Sequence, residues 1–158
     1  TVPEAVELGA TAVGYTIYIG SELEDKMLTD FSEVVREAHQ KELPVMAWMY
    51  PRGKAVLGRD QKELTAYAAR LGLELGADLI KIKYPGSLES LSWAVSAAGK
   101  TKVVVSGGPQ LPEEELLEMT RNSLAAGAIG MAVGRNIWQN KDPLDITRKL
   151  REILFKEG

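Results

Sequence analysis

The 158-residue sequence contains no cysteine and a single histidine, His39. Disulfides, thiolate metal sites and cysteine nucleophiles are therefore excluded, and a zinc site of the usual kind cannot be built. The solvated end of a long amphipathic helix accounts for His39, so we assign it no function.

Long apolar runs and clusters of basic residues are also missing. No stretch approaches the roughly 18 apolar residues that span a bilayer, and no signal peptide is visible, so we expect a cytoplasmic protein that binds no membrane. A formal net charge of −3, without a stripe of basic and aromatic residues, argues against nucleic-acid binding. Hydrophobic residues make up 45% of the chain, enough for the core of a single domain over residues 1–158.

What is present is a regular alternation of strand and helix patterns. A leading helix over residues 3–9 precedes five strands, and each strand is followed by a helix. The predicted strands are 11–18, 45–50, 77–84, 102–106 and 128–133, and the helices are 22–42, about 60–75, 87–99, 112–126 and 143–156. Short strands buried on both faces and joined by helices indicate a parallel sheet.

Two parallel α/β architectures fit this alternation. A five-stranded doubly wound sheet would fit the length, whereas a (β/α)8 barrel needs about 250 residues and eight strands. The leading helix ends in Leu8-Gly9-Ala10, and two later helices end in a similar sequence just before a strand begins. The later helices each follow a strand, whereas no strand precedes the leading helix in this sequence. We therefore predict an α/β fold that supplies the C-terminal five βα units of a parallel TIM barrel, with the first three strands absent from this sequence.

The predicted strand over residues 77–84 carries the residues that suggest chemistry. Lys81 and Lys83 share one face of it with Leu79, because side chains alternate along a strand. The opposite face carries Ile80, Ile82 and Tyr84. Burying a lysine is costly unless its charge is paired or lost, and desolvation or a second ammonium lowers the pKa of an amine. A neutral amine attacks carbonyls and forms Schiff bases, although both lysines could instead reach solvent, with Lys81 paired to a carboxylate.

Polar residues and glycines are concentrated at the predicted C-terminal ends of the strands, where ligands bind in both architectures. Residues 106–108 (Ser-Gly-Gly) and 134–135 (Gly-Arg) end the last two strands. Glycine N–H groups and an arginine fork suit a phosphate, although the glycines could serve only to make tight turns. Tyr50 and Trp48 lie on the same face of their predicted strand. A phenol near an amine can transfer protons, although the two aromatic residues could instead be a packing pair in the core.

Four separated motifs resemble the archaeal-type class I fructose-bisphosphate aldolases. They are residues 48–54 (WMYPRGK), 75–86 (LGADLIKIKYPG), 105–109 (VSGGP) and 132–139 (AVGRNIWQ). Residues 12–18 are similar to the fourth strand of that family, so the resemblance covers the whole chain. It implies reversible cleavage of fructose 1,6-bisphosphate to dihydroxyacetone phosphate and glyceraldehyde 3-phosphate, as in glycolysis and gluconeogenesis. It also implies a lyase that uses a lysine Schiff base without a cofactor, in a metal-free barrel that forms a homo-oligomer.

The resemblance implies a role for each of several residues. Lys81, and not Lys83, matches the Schiff-base lysine, and Tyr50 matches the tyrosine that donates a proton. The positions implied for substrate and phosphate binding are Trp48, Arg52, Lys83, Ser106, Gly107, Gly108, Gly134 and Arg135. The family also uses an aspartate on its first strand for acid/base steps. Since no such strand precedes Thr1, we expect the 158 residues alone to be inactive and the complete protein to be an active catalyst.

Two other functions remain open. A sister group in the same superfamily makes 2-amino-3,7-dideoxy-D-threo-hept-6-ulosonate with the same lysine and tyrosine, and it shares the Tyr-Pro-Arg-Gly motif. The run at residues 81–86, followed by residues 91–95, is closer to the aldolases. The second alternative, from the residues alone, is a non-catalytic α/β domain that binds phosphosugars on a flavodoxin-like sheet.

Overall fold

The computed structural model describes residues 1–155 as five strands with helices between them. The strands are β1 (Val13–Ile19), β2 (Val45–Pro51), β3 (Leu79–Lys83), β4 (Lys102–Ser106) and β5 (Gly130–Ala132). The helices are α1 (Val2–Glu7), α2 (Glu24–His39), α3 (Gln61–Glu74), α4 (Leu88–Ala97), α5 (Glu113–Ala125), α6 (Arg135–Trp138) and α7 (Pro143–Leu154), and a 3-10 turn lies at Lys54–Val56.

The order of the strands distinguishes between the two predicted architectures. All neighbouring pairs are parallel, and the order in the sheet is β1-β2-β3-β4-β5. Each connection therefore moves the chain one strand further in the same direction, whereas a doubly wound sheet reverses its strand order at a switch point. Right-handed crossovers in a constant direction place every helix on the same side of the sheet. The predicted barrel-type arrangement is confirmed, and the flavodoxin-like sheet is excluded.

One face of the sheet is buried under the helices. Ile80 and Ile82 of β3 are 0% and 1% exposed and belong to the main hydrophobic core. The neighbouring strands contribute Ile17, Ile19, Val45, Ala47, Met49, Val103 and Val105 to the same core. We call this side the helix face, and the side that bears Lys81 the cavity face. The prediction that β3 is buried on both faces is wrong, because Lys81 is half-buried and Lys83 is exposed.

Several predicted boundaries differ from the observed ones. Helix α2 ends at His39 rather than at residue 42, because Glu42 adopts a left-handed φ of 56° and the Leu43 N–H donates to the Ala38 carbonyl in a turn ahead of Pro44. Strand β5 has three residues rather than six. The short helix α6 was not predicted, and residue 156, the predicted end of α7, lies outside the described residues.

The predicted N-cap of α4 is confirmed. The Ser87 hydroxyl accepts a hydrogen bond from the Ser90 N–H at 3.2 Å, which satisfies one of the unpaired donors of the first turn. Within residues 1–155, no helix is long and apolar enough to cross a membrane.

Candidate active site

A cavity of about 520 Å³ lies where the C-terminal ends of β2, β3, β4 and β5 meet. Nine of the ten predicted site residues line it, namely Tyr50, Arg52, Lys81, Lys83, Ser106, Gly107, Gly108, Gly134 and Arg135. The remaining lining residues had not been assigned a role in the site and are Tyr84, Pro109, Leu111, Met119, Ala132 and Trp138. The fold therefore brings together strand ends that are up to 85 positions apart in the sequence (Tyr50 to Arg135).

Lys81 lies in the middle of the cavity face. The register places it between Trp48 of β2 and Val104 of β4, while its neighbours Ile80 and Ile82 are buried on the helix face. Among residues 1–155, no carboxylate lies within ion-pair distance of its ammonium group, so the alternative of a structural ion pair is excluded for this part of the chain. The amine is thus available to a ligand.

Tyr50 is oriented by aromatic and cationic neighbours. Its ring stacks on that of Tyr18, the residue beside it on β1, with centroids 6.4 Å apart and an interplanar angle of 30°. The Arg52 guanidinium carbon lies 5.0 Å from the Tyr50 ring centroid and 5.8 Å from that of Tyr18, within reach of cation–π attraction. Tyr18 ends a predicted strand, but its position beside Tyr50 was not predicted, because only the register between β1 and β2 shows it.

Trp48 is the predicted site residue that the structure does not bring to the cavity. Its indole lies over Gly14 of β1, so that a Cβ atom at Gly14 would lie 2.9 Å from Cη2 of Trp48. Gly14 pairs with Met46, two residues before Trp48, so the ring leans toward the N-terminal end of the sheet. The absence of a side chain at residue 14 gives the indole this space.

The two glycine-containing loops differ in how many of their N–H groups are available. The Gly107 N–H donates to the Ala132 carbonyl at 3.0 Å and is therefore occupied by the link between β4 and β5. Within the described residues, the N–H groups of Gly108, Gly134 and Arg135 have no hydrogen-bond acceptor. The predicted phosphate loops thus offer three backbone donors. Gly107 is not one of them, but a Cβ atom at residue 107 would lie 3.2 Å from Cα of Val133, so the lack of a side chain there lets the two loops approach each other.

Side chains from α6 join the two loops. Nη2 of Arg135 donates to the Gly108 carbonyl at 2.9 Å. The Asn136 side chain, which is buried, donates to the carbonyls of Gly107 and Pro109 and accepts from the Leu111 N–H. The sequence places Asn136 only within the motif of residues 132–139, and no local pattern reveals partners 25 to 29 residues away.

The cavity has a strong excess of positive charge. Four basic side chains line it, those of Arg52, Lys81, Lys83 and Arg135, and no aspartate or glutamate from residues 1–155 is among the lining residues. Such a surface attracts phosphorylated ligands, and the arginines can bind phosphate oxygens through two parallel hydrogen bonds.

The model of the DeoC/LacD family aldolases matches residues 1–140 of this sequence. The chain belongs to the DeoC/LacD family. Among curated relatives, class 1 fructose-bisphosphate aldolase of Thermoproteus tenax is 50% identical over 156 residues, which are 98% of this chain and 59% of the relative. The enzyme of the same name from Halobacterium salinarum is 43% identical over 158 residues, which are 100% of this chain and 60% of the relative.

A relative with another activity is more distant. The 2-amino-4,5-dihydroxy-6-oxo-7-(phosphonooxy)heptanoate synthase of Streptomyces griseus is 35% identical, with 100% of this chain and 58% of that protein covered. These identities favour the fructose-bisphosphate aldolases within the family and confirm the resemblance drawn from the four motifs.

Solved structures agree with this membership. A crystal structure of an archaeal fructose 1,6-bisphosphate aldolase matches with a TM-score of 0.94 and 50% identity, covering 99% of this chain and 62% of that one. A second structure, of an archaeal fructose-1,6-bisphosphate aldolase with its catalytic lysine covalently bound to the carbinolamine intermediate of the substrate, matches with a TM-score of 0.93 and 49% identity, covering 98% of this chain and 62% of that one. The chain thus corresponds to part of a TIM-barrel aldolase and spans about three fifths of the length of these relatives.

Proposed function

We propose that the protein is a class I fructose-1,6-bisphosphate aldolase in which Lys81 forms a Schiff base with the substrate ketone. The observation that carries the proposal is the shared cavity, in which Lys81, Tyr50 and two glycine-containing loops meet, and within residues 1–155 neither the Lys81 ammonium nor three N–H groups of these loops have a partner. Identities of 50% and 43% to two class 1 fructose-bisphosphate aldolases support this substrate.

Lys81 is the proposed nucleophile. Its amine adds to the ketone carbon to give a carbinolamine, and loss of water gives an iminium ion. When the C3–C4 bond breaks, its electron pair moves into the iminium, the C4 hydroxyl loses its proton, and an aldehyde leaves. The enamine that remains is then protonated and hydrolysed. The iminium thus takes up the electron pair that would otherwise form an unstable carbanion.

Tyr50 is the proposed group for proton transfer, since its phenol lies in the same cavity and has no hydrogen-bond partner among the described residues. Arg52 keeps the ring in place and adds positive charge. We assign a phosphate of the substrate to the loops that contain Ser106, Gly108 and Arg135, because fixing the phosphate presents the carbonyl to the amine. Lys83, which is exposed at the end of β3 next to Ser106, is assigned to the other phosphate. Trp48 is not assigned a contact with the substrate.

Borohydride trapping tests the proposal. The full-length protein, rather than residues 1–158 alone, is incubated with dihydroxyacetone phosphate, reduced with sodium borohydride, digested and mapped by mass spectrometry. We expect one modified lysine, Lys81, and loss of trapping in Lys81→Met. A label on any other lysine, or none, would refute the assignment.

Lys83→Met provides a matched control, since the same substitution is made two residues along the same strand face. It should retain trapping at Lys81 and require more ligand for half-saturation. A coupled assay that measures triose phosphate released from fructose 1,6-bisphosphate tests the identity of the substrate. EDTA should leave the rate of cleavage unchanged, because the proposed electron acceptor is the iminium ion and not a metal.

A further inference from the structure

Asn136 is a buried polar side chain among the loops that border the cavity. It is 3% exposed and is the second residue of α6. Its Nδ2 donates to the carbonyls of Gly107 and Pro109, both at 2.8 Å, and its Oδ1 accepts from the Leu111 N–H at 2.7 Å. All three partners are backbone groups of residues 107–111, which form neither helix nor strand. A single side chain therefore satisfies much of the backbone of this loop.

The bond to Gly107 determines how the next peptide is oriented. A trans peptide is planar, and its carbonyl and N–H point in opposite directions. Because the Gly107 carbonyl points at Asn136, the N–H of the same peptide, which belongs to Gly108, points away from Asn136. This is one of the three loop N–H groups that have no acceptor in the described part of the chain. Rotation of this peptide would redirect that donor.

We infer that Asn136 is a positioning residue for phosphate binding. By accepting from Leu111 and donating to Gly107 and Pro109, it keeps the Gly107–Gly108 peptide in the orientation that directs the Gly108 N–H at a phosphate of the substrate. The inference rests on the proposed function, because the phosphate site that Asn136 orients belongs to it.

Asn136→Asp separates a positioning role from simple support of the fold. The variant keeps the shape of the side chain and the oxygen that accepts from Leu111. It replaces the donating NH₂ group with an oxygen that faces two carbonyl oxygens, so the peptide must rotate or the loop must shift. Asn140→Asp is the matched control, because Asn140 uses only Oδ1, which accepts from the Asp142 N–H at 3.0 Å, and aspartate preserves that bond with the same change in charge.

Two ketones serve as probes in borohydride trapping at Lys81: dihydroxyacetone phosphate and dihydroxyacetone, which lacks the phosphate. In Asn136→Asp we expect the half-saturating concentration of dihydroxyacetone phosphate to rise about 10- to 100-fold, while trapping of dihydroxyacetone stays within about twofold of the wild-type rate. Asn140→Asp should match the wild type with both ketones. Equal losses with both ketones, or no loss with either, would overturn the positioning role.

Trapping of the two ketones by the full-length wild-type protein distinguishes failure of the proposed function from failure of the positioning role. If it traps neither ketone, the proposed function fails, and the inference with it. If it traps both and Asn136→Asp behaves as the wild type, only the positioning role fails. Far-ultraviolet circular dichroism establishes that the variant is folded. If Asn136→Asp is not folded, Asn136→Ala takes its place in the same comparison with the same criteria. Asn136→Ala loses the three hydrogen bonds without adding a charge.

Discussion

Gly53 follows Arg52 in the loop after β2, and its backbone touches the loop after β1. A Cβ atom at residue 53 would lie 1.6 Å from the carbonyl carbon and oxygen of Gly20 and 2.0 Å from the Ser21 nitrogen. Carbon atoms in contact need about 3.5 Å, so in Gly53→Ala the two loops must separate by about 2 Å. The clash is with backbone atoms, which cannot turn away as a flexible side chain could.

Three hydrogen bonds join these loops, and a separation of this size breaks all of them. The N–H groups of Arg52 and Gly53 donate to the Ile19 carbonyl at 3.1 Å, and the Ala55 N–H donates to the Gly20 carbonyl at 3.2 Å. At about 1 kcal/mol each, their loss lowers the free energy of unfolding by about 3 kcal/mol. For a chain of this size that corresponds to a fall in Tm of about 6–12 °C.

Urea unfolding followed by circular dichroism measures this loss. Gly130→Ala is the control, because a Cβ atom at residue 130 has no neighbour within 4 Å, and its free energy of unfolding should stay within about 1 kcal/mol of the wild type. Trapping at Lys81 should also weaken in Gly53→Ala, since Arg52 moves away from Tyr50. Equal unfolding free energies for the two variants would refute the argument.

Two further predictions concern stability. Ile82→Ala removes a core side chain that is 1% exposed and should lower the free energy of unfolding by about 2–5 kcal/mol in urea, whereas Lys83→Ala on the exposed side should change it by less than about 0.5 kcal/mol. Burial acts to raise the pKa of the Asp78 carboxyl, but hydrogen bonds from His39 and the Val45 N–H outweigh it, and the pKa lies below its usual value. The resulting stability is present above the unfolded-state pKa of about 3.9 and is lost as the pH falls through the folded-state pKa. Asp78→Asn should therefore lose less stability than the wild type between pH 6 and pH 3, and parallel pH profiles in urea unfolding would contradict this.

Features that depend on residues close in sequence were predicted well. The strand period of two identified the common face of Lys81 and Lys83, because alternation is a property of the strand itself. The N-cap at Ser87 is likewise local, since a hydroxyl meets an N–H three residues ahead. The strand order also followed from alternation and the leading helix, because short crossovers leave few topologies open.

Features that depend on contacts between distant segments were missed. The direction of the Trp48 indole is set by the absence of a side chain at Gly14, on another strand. Tyr18 is beside Tyr50 only because of the register between β1 and β2. The role of Asn136 depends on carbonyls that belong to a different βα unit. None of these partners lies within the few residues over which a sequence pattern acts.

The face on which Lys81 lies is determined by the core rather than by the site. A slip of β3 by one residue would expose Ile80 and Ile82 and place both lysines under the helices, because the strand period is two. Exposing two isoleucines costs about 2 kcal/mol each, and burying two unpaired ammonium groups costs at least about 3 kcal/mol each, together about 10 kcal/mol. That is comparable to the whole stability of a typical domain, about 5–15 kcal/mol. The amine thus keeps its position on the cavity face even when residues around the cavity are substituted, so losses of trapping in such variants report on the cavity itself.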